Sequence, residues 1–295
     1  MFPTRRPGCC KRAASTRLSS GRCTFAAGWN RASIRPSPTW GLILDYVGAD
    51  RPLGCISTAD LREFGATLDA DFFPGLPALF DDLRAVAAEY SDVSVEFHII
   101  SGGLLEVVLG SQIVQQHFTG VRGCEFAEDG ESGCIVAIKR AITFTEKTRY
   151  LFEINKGIEP DDSLKNPYIV NRDVPGEKRP VPFQNMIYVG DGLTDIPCFS
   201  LLKKEHGISF GVFDPARKES ARKAFTEFLQ TDRVISMHAP RYGPGDELGS
   251  LLRTAVATRQ APSRCSERRP SRRSDEIGEL VGGATPSPNP GSGRA

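Results

Sequence analysis

Asn185-Met-Ile-Tyr-Val-Gly-Asp-Gly-Leu-Thr-Asp195 is the stretch that decides the fold class. Met186 to Val189 is an apolar run with β-branched and aromatic residues, the length of one buried parallel strand. It stops at Gly190-Asp191-Gly192, and a helix-like run over 195–204 opens after Thr194. A strand that ends in a Gly-flanked carboxylate and leads into a helix N-terminus is how an α/β protein holds a metal or a phosphate. The glycines let the backbone approach the ligand, which lies beyond the carboxyl ends of the strands. The same residues also read as an ordinary strand-turn-helix corner, since Gly and Asp are common in turns.

Working outward from this stretch, strands and helices alternate. Downstream, the pattern predicts a strand over 208–213, a helix over 216–229, a short strand over 234–236 and a helix over 247–258. Upstream, 158–184 is polar and Pro-rich and reads as a long surface loop. Before it, Thr145 is placed to cap a helix that runs to Lys156 and stops at Gly157, with Tyr150, Leu151 and Ile154 facing inward. Val93, Val95, Phe97 and Ile99 alternate toward Ser101-Gly102-Gly103 as a strand does, and a helix over about 104–114 follows. Short strands are expected over 123–126 and 134–139, with a turn at 128–130. Further back, an amphipathic helix over 77–90 turns Leu79, Phe80, Leu83, Val86, Ala87 and Tyr90 to one face. Residues 60–68 could make two helical turns, and 41–46 is a short apolar run. The alternation argues for an α/β fold with a mainly parallel sheet.

The totals narrow the function classes. A chain of 295 residues has room for one large domain or two modest ones. Its net charge of +1 hides a segregation: residues 1–40 hold eight basic and no acidic residues, and 261–295 hold six and four. Residues 41–260 therefore carry a net charge of −9, a poor match to a phosphate backbone, which argues against nucleic acid as partner. The eight cysteines include no C-x-x-C pair and the four His are scattered, so no zinc site is expected. They read as buried or incidental thiols of a reducing, cytoplasmic compartment. No apolar run reaches the ~20 residues of a membrane span. Residues 1–40 are Arg-, Ser-, Pro- and Cys-rich and acid-free. They read as an organelle transit peptide, as an unstructured basic arm, or as a spurious segment from a wrong start or a shifted frame. Residues 261–295, rich in Ser, Arg, Pro and Gly, read as a disordered tail.

Three polar features stand where such a fold places ligand-binding groups: Ser101 at a strand end, Lys147 in the first turn of a helix, and Asp191 with Asp195 at the opening corner. Ser101 also reads as a helix cap and Lys147 as a solvated side chain. A lysine at a helix N-terminus opposes the macrodipole, so a bound anion or a neighbouring carboxylate would explain it. Taken in order, Phe97-His-Ile-Ile-Ser-Gly-Gly103, Thr145-Glu-Lys-Thr148 and Tyr188-Val-Gly-Asp-Gly-Leu-Thr-Asp195 resemble the motifs of the haloacid dehalogenase superfamily of magnesium-dependent phosphohydrolases. The resemblance runs from about Phe72 to Pro240, and Phe73-Pro-Gly-Leu-Pro77 looks like the family's re-entry from its small helical cap. It implies a Rossmann-like sheet over 41–260, with 41–72 as the remnant of that cap. Ser101 and Gly102 would bind a phosphoryl oxygen, Lys147 would neutralise the phosphoryl charge, Asp191 would ligate Mg²⁺, and Asp195 would support that site directly or through water. The partner would be a small phosphorylated metabolite. A hard cation, an ammonium and hydroxyl donors are what stabilise charge spread over phosphoryl oxygens.

The family's first motif, an apolar strand followed by Asp-x-Asp-x-Thr/Val, is not found. Its first Asp is the nucleophile and its second the general acid/base. Asp69-Ala70-Asp71 has the doublet without the preceding strand, and Asp45 follows an apolar run but has Val47 where the second Asp belongs. The resemblance makes that strand central, so either 41–46 substitutes for it or the chain folds poorly. The expectation is a phosphohydrolase of impaired activity; the alternative is a catalytically inactive relative that at most binds metal or phosphate. Dinucleotide binding is disfavoured because no G-x-G-x-x-G follows a first strand.

Overall fold

Among the described residues from 41 onward, period-two and continuous apolar runs place six strands in two sheets. In a computed structural model the described residues are 41–89 and 93–260, together with two short segments, Thr16–Arg17 and Ala26–Ala27, that pair antiparallel. The remainder of 1–40, residues 90–92 and all of 261–295 lie outside the described residues, and with them the readings of those segments. The first sheet holds β1 (His98–Leu104), β2 (Gly120–Glu128) and β3 (Ile135–Arg140) in that order, β1–β2 parallel and β2–β3 antiparallel. The second holds β4 (Ile187–Gly190), β5 (Ile208–Val212) and β6 (Ser236–His238), all parallel. The mixed α/β class expected from the alternation is what forms.

The second sheet is covered on both faces by two apolar cores, and the first shares one of them, while Ile99 of β1 packs with Val108 and Val114 in a smaller third cluster. Tyr188 of β4 and Ile100 of β1 share one core with Tyr150, Leu151 and Ile154 of α5 (Glu146–Asn155) and Phe199 and Leu202 of α7 (Ile196–Lys204). Ile187 and Val189 point the other way, as the strand period requires. They join Phe97 in a second core with Leu79, Phe80 and Leu83 of α2 (Ala78–Ala88) and Leu248 and Leu252 of α9 (Glu247–Gln260). Burial on both faces explains why β4 reads as a continuous apolar run rather than an alternating one.

Several expectations are corrected. Residues 41–44 are a helical turn, not a strand, so this run does not substitute for a first strand. The helix expected over 104–114 is two, α3 (Leu105–Gly110) and α4 (Gln112–His117), broken at Ser111, whose hydroxyl accepts from Val114 N and caps the second. The segment 158–184 is more than a surface wrap. It contains α6 (Pro160–Lys165) and buries Ile158, Val174, Val181 and Phe183, and Lys156 Nζ donates to the carbonyls of Val170 and Arg172 at 2.6 and 2.8 Å. After α8 (Lys218–Ala224) the helix continues over Phe225–Leu229 as a π turn. Two cysteines read as incidental thiols, Cys55 and Cys134, form a disulfide across 79 residues. Ile135 N bonds Ile56 O at 2.8 Å beside it, so a pairing of backbones, not a sequence spacing, brings the sulfurs together.

In the expected cap region, α1 (Thr58–Ala66) starts with Ser57 and Asp60 capping each other. It packs on α3 where Gly65 meets Gly110. A Cβ on Gly65 would stand 2.0 Å from Val107 O, so only glycine allows this approach. No helix among the described residues is long and apolar enough to cross a membrane.

Candidate functional site

Strand β4 delivers Asp191 just past its buried end, and the chain turns at once into a short helical segment that returns Asp195 beneath it. The fit is tight. A Cβ on Gly190 would stand 2.7 Å from the Asp195 carboxylate, so the glycine that ends the strand is required by the side chain five residues on. Asp195 is 1% exposed and fully engaged. Its Oδ1 accepts from Lys147 Nζ at 2.7 Å and from the Tyr188 hydroxyl at 2.8 Å, and its Oδ2 from Gly192 N at 2.9 Å.

Lys147, in the first turn of α5, is therefore buried and paired rather than solvated. Burial pushes its ammonium down, but the Asp195 charge and hydrogen bond outweigh this, and its pKa is raised. The lysine that opposes its own helix dipole has found the carboxylate it needs. Asp191 is half-buried. Burial and the neighbouring Asp195 carboxylate push it up to about 7, with Lys147 opposing. Behind the corner, burial and then Asp195 push the Cys198 thiol up to about 12, so it stays protonated.

Ser101 is fully buried in the middle of β1, where the pairing with β2 becomes irregular after Ile100, and not at the strand end expected from the sequence. Its Oγ accepts from Gly103 N at 2.9 Å, and α3 begins only after Leu104, which makes no side-chain cap bond. The helix-cap reading of Ser101 is thus corrected. The turn fixes its oxygen and, among the described residues, leaves the hydroxyl hydrogen to donate. Gly102 follows with its carbonyl 3.3 Å from Cys124 Sγ, and it lies close to Ile142 O of the loop that leads into α5.

The chain thus brings Lys147, Asp191 and Asp195 together at one corner, while Ser101 stands on the other sheet with its own turn. Asp45 and Asp69, the two weaker candidates, have other places. Asp45 is exposed after the helical turn at 41–44. Asp69 accepts from Ser111 Oγ and from Gln112 N at 3.1 Å, where it serves the start of α4. Tyr188 is the participant that sequence reasoning passed over. As the aromatic residue in an apolar strand it reads as core, and only its hydroxyl, aimed at Asp195, says otherwise.

Whether these residues suit Mg²⁺ follows from the donor set. Magnesium takes one or two carboxylates and completes its shell with water and phosphate oxygens. Asp191 fits as the direct ligand, since a half-buried carboxylate pushed toward neutrality gains most from a cation. Asp195, with three donors on its two oxygens, fits as a support. No cluster of three or more His, Cys, Asp or Glu suited to a metal occurs among the described residues, which excludes an all-protein cage there but not this mode.

Comparison with curated proteins finds an uncharacterized protein of Borreliella burgdorferi, 30% identical over 194 residues. The match covers 60% of this chain, which spans 64% of that relative's length. No protein-family model matches, and no solved structure matches.

Proposed function

We propose that this chain carries the metal- and phosphoryl-binding half of a haloacid dehalogenase-like phosphohydrolase, on a Rossmann-like sheet with the remnant of a small helical cap. The observation that carries the reading is the corner after β4, where a buried ammonium, Lys147, is locked to Asp195 beside the half-buried Asp191. Magnesium, when bound, would supply a charge clamp for phosphoryl oxygens. Asp191 would hold it, Asp195 would orient Lys147, and Lys147 and the Ser101 hydroxyl would bind the oxygens of a small phosphorylated metabolite. The setting proposed is cytoplasmic, and Cys55–Cys134 is the pair that a reducing milieu would open.

The order of strands supports the reading in a second way. β1 and β4, which carry Ser101 and Asp191, each end their three-stranded sheet among the described residues, and Ile100 of β1 and Tyr188 of β4 belong to one core. The resemblance makes its first strand, with the nucleophilic Asp, central to the sheet. With that motif missing from the sequence, hydrolysis of a generic phosphomonoester such as 4-nitrophenyl phosphate should be undetectable while cation binding persists. Millimolar Mg²⁺ should raise the melting temperature of the full chain, by an increment that grows with concentration as ligand linkage requires. Asp191→Asn should remove that dependence. An identical response in the variant, or none in either protein, refutes the metal corner; clear phosphatase turnover lost on Asp191→Asn refutes the impaired state.

A further inference from the structure

Strand β6, the last of the second sheet, holds a constellation that the metal corner does not use. Ser236 and His238 are two residues apart and so share a face of the strand. Ser236 Oγ lies 2.7 Å from His238 Nε2, and His238 Nδ1 lies 3.0 Å from Oε2 of Glu247, the first residue of α9. Chemistry fixes the direction of this chain. A carboxylate only accepts, so Nδ1 carries the hydrogen. In the neutral ring Nε2 then offers its lone pair, and the serine hydroxyl donates to it. That is the arrangement that makes a serine oxygen nucleophilic: a base within reach, oriented by a third group.

The supports are placed to keep it. The imidazole is 7% exposed and packs edge-on to the Phe210 ring, with centroids 6.2 Å apart. The His238 carbonyl accepts from Phe213 N at 3.1 Å, which holds the strand end. Ser236 is only half-buried, so its oxygen can be reached. The Glu247 side chain is 84% exposed, so its charge is screened and its role is to orient the ring.

We propose that Ser236, His238 and Glu247 form a second, metal-independent nucleophilic site at which Ser236 is acylated by carboxylic esters with good leaving groups. Ser236 Oγ forms a bond to the carbonyl carbon as its proton passes to His238 Nε2. The bond to the leaving oxygen breaks, and that oxygen takes the proton. Water then attacks the acyl carbon, gives a proton to His238, and the serine oxygen leaves and recovers it. Ser236 and His238 are the catalytic residues; Glu247 is a positioning residue.

The test uses the full chain with 4-nitrophenyl acetate and a fluorophosphonate probe, with and without EDTA. Peptide mass spectrometry should place the label on Ser236 in the native protein and not in the heat-unfolded one, whatever the metal content. Ser236→Ala should abolish labelling, and His238→Gln should slow it by about a hundredfold or more. Glu247→Ala should slow it roughly tenfold, with partial recovery in Glu247→Asp, which a merely structural contact would not show. Labelling of Ser236 no faster in the native than in the unfolded chain, or label placed on another residue, overturns the proposal and leaves a structural hydrogen bond only. Because the site is read without Mg²⁺, its failure and that of the metal corner are told apart.

Discussion

Helix α5 carries two buried ion pairs, one in its first turn and one in its last, and they are built differently. Near the C-terminal end, Glu153 is fully buried and surrounded by donors: Arg122 Nε at 3.3 Å, Arg149 Nε at 3.1 Å and Ser163 Oγ at 2.6 Å. Arg122, 1% exposed, also donates to Ile158 O at 3.1 Å and lies over the Tyr150 ring. Burial lowers the Arg122 pKa, and the Glu153 charge opposes the shift. The one acid here has more than one base. At the other end, one ammonium faces two carboxylates, and the second of them, Asp191, is left pushed up to about 7. The first pair is closed upon itself; the second holds surplus negative charge in a half-buried place. Stability alone accounts for the Glu153 network, whereas the Asp191 corner makes sense when something positive arrives.

The largest effect should come from opening the closed network. Glu153→Ala leaves Arg122 buried without its carboxylate, and breaking a buried pair in this way costs about 3–5 kcal/mol. Urea unfolding of the variant should show the midpoint fall with the slope kept. A loss below about 1 kcal/mol would mean that the network is no more than decoration on the core.

The open corner should respond with the opposite sign and only at some pH values. The folded pKa of Asp191 is raised, from 3.8 to about 7. Below pH ~4 the carboxyl is protonated in both states and costs nothing. Between ~4 and ~7 the unfolded chain releases the proton while the folded chain keeps it, so stability falls as pH rises, and above ~7 the whole penalty is present. Each tenfold difference in proton affinity between the two states is worth about 1.4 kcal/mol, which makes that penalty on the order of 4 kcal/mol without a cation. Asp191→Asn should therefore stabilise the protein at pH 8 by a sizeable part of this and change little at pH 4. Equal effects at the two pH values would show that Asp191 is not held near neutrality, and the contrast between the two ends of α5 would disappear.

How far these pairs are legible in the sequence depends on the kind of interaction. Lys147 is legible because a lysine in a first turn contradicts the macrodipole, and Asp191 and Asp195 because a strand-Gly-Asp-Gly corner is a local pattern. Glu153 and Arg122 are not, since 31 residues separate them and nothing local marks either as buried. Cys55 and Cys134 escape for the same reason. Among the elements, β4, α5 and α2 are legible from apolar periodicity, whose inward residues Tyr150, Leu151, Ile154, Leu79, Phe80 and Leu83 are all buried. The run at 41–46 misleads because a short apolar run fits a strand or a helical turn equally well. The break at Ser111 is hidden because apolar residues continue across it, and only the cap it makes for Gln112–His117 divides the run.

The smallest effect concerns what sets α5 in place. Thr145 stands at the N-cap position but makes no side-chain cap bond; its φ of −82° and ψ of −24° are already helical, and its carbonyl accepts from Thr148 Oγ1 at 2.6 Å. Ser111, by contrast, has the extended backbone of a working cap, with φ −67° and ψ 127°, and its hydroxyl accepts from Val114 N at 3.1 Å. Ser111→Ala should cost at least about 1 kcal/mol, the usual loss for a functioning cap, because it also removes the hydroxyl's bond to Asp69. Thr145→Ala should cost less than about 0.5 kcal/mol, since no cap bond is lost and alanine is the better helix former. Thermal unfolding of the two variants side by side decides it. If Thr145→Ala proves the costlier, the start of α5 is held by its cap, and the position of Lys147 depends on that threonine. If it is the milder, α5 is positioned by Tyr150, Leu151 and Ile154 in the core, and by the two ion pairs whose difference the larger substitutions measure.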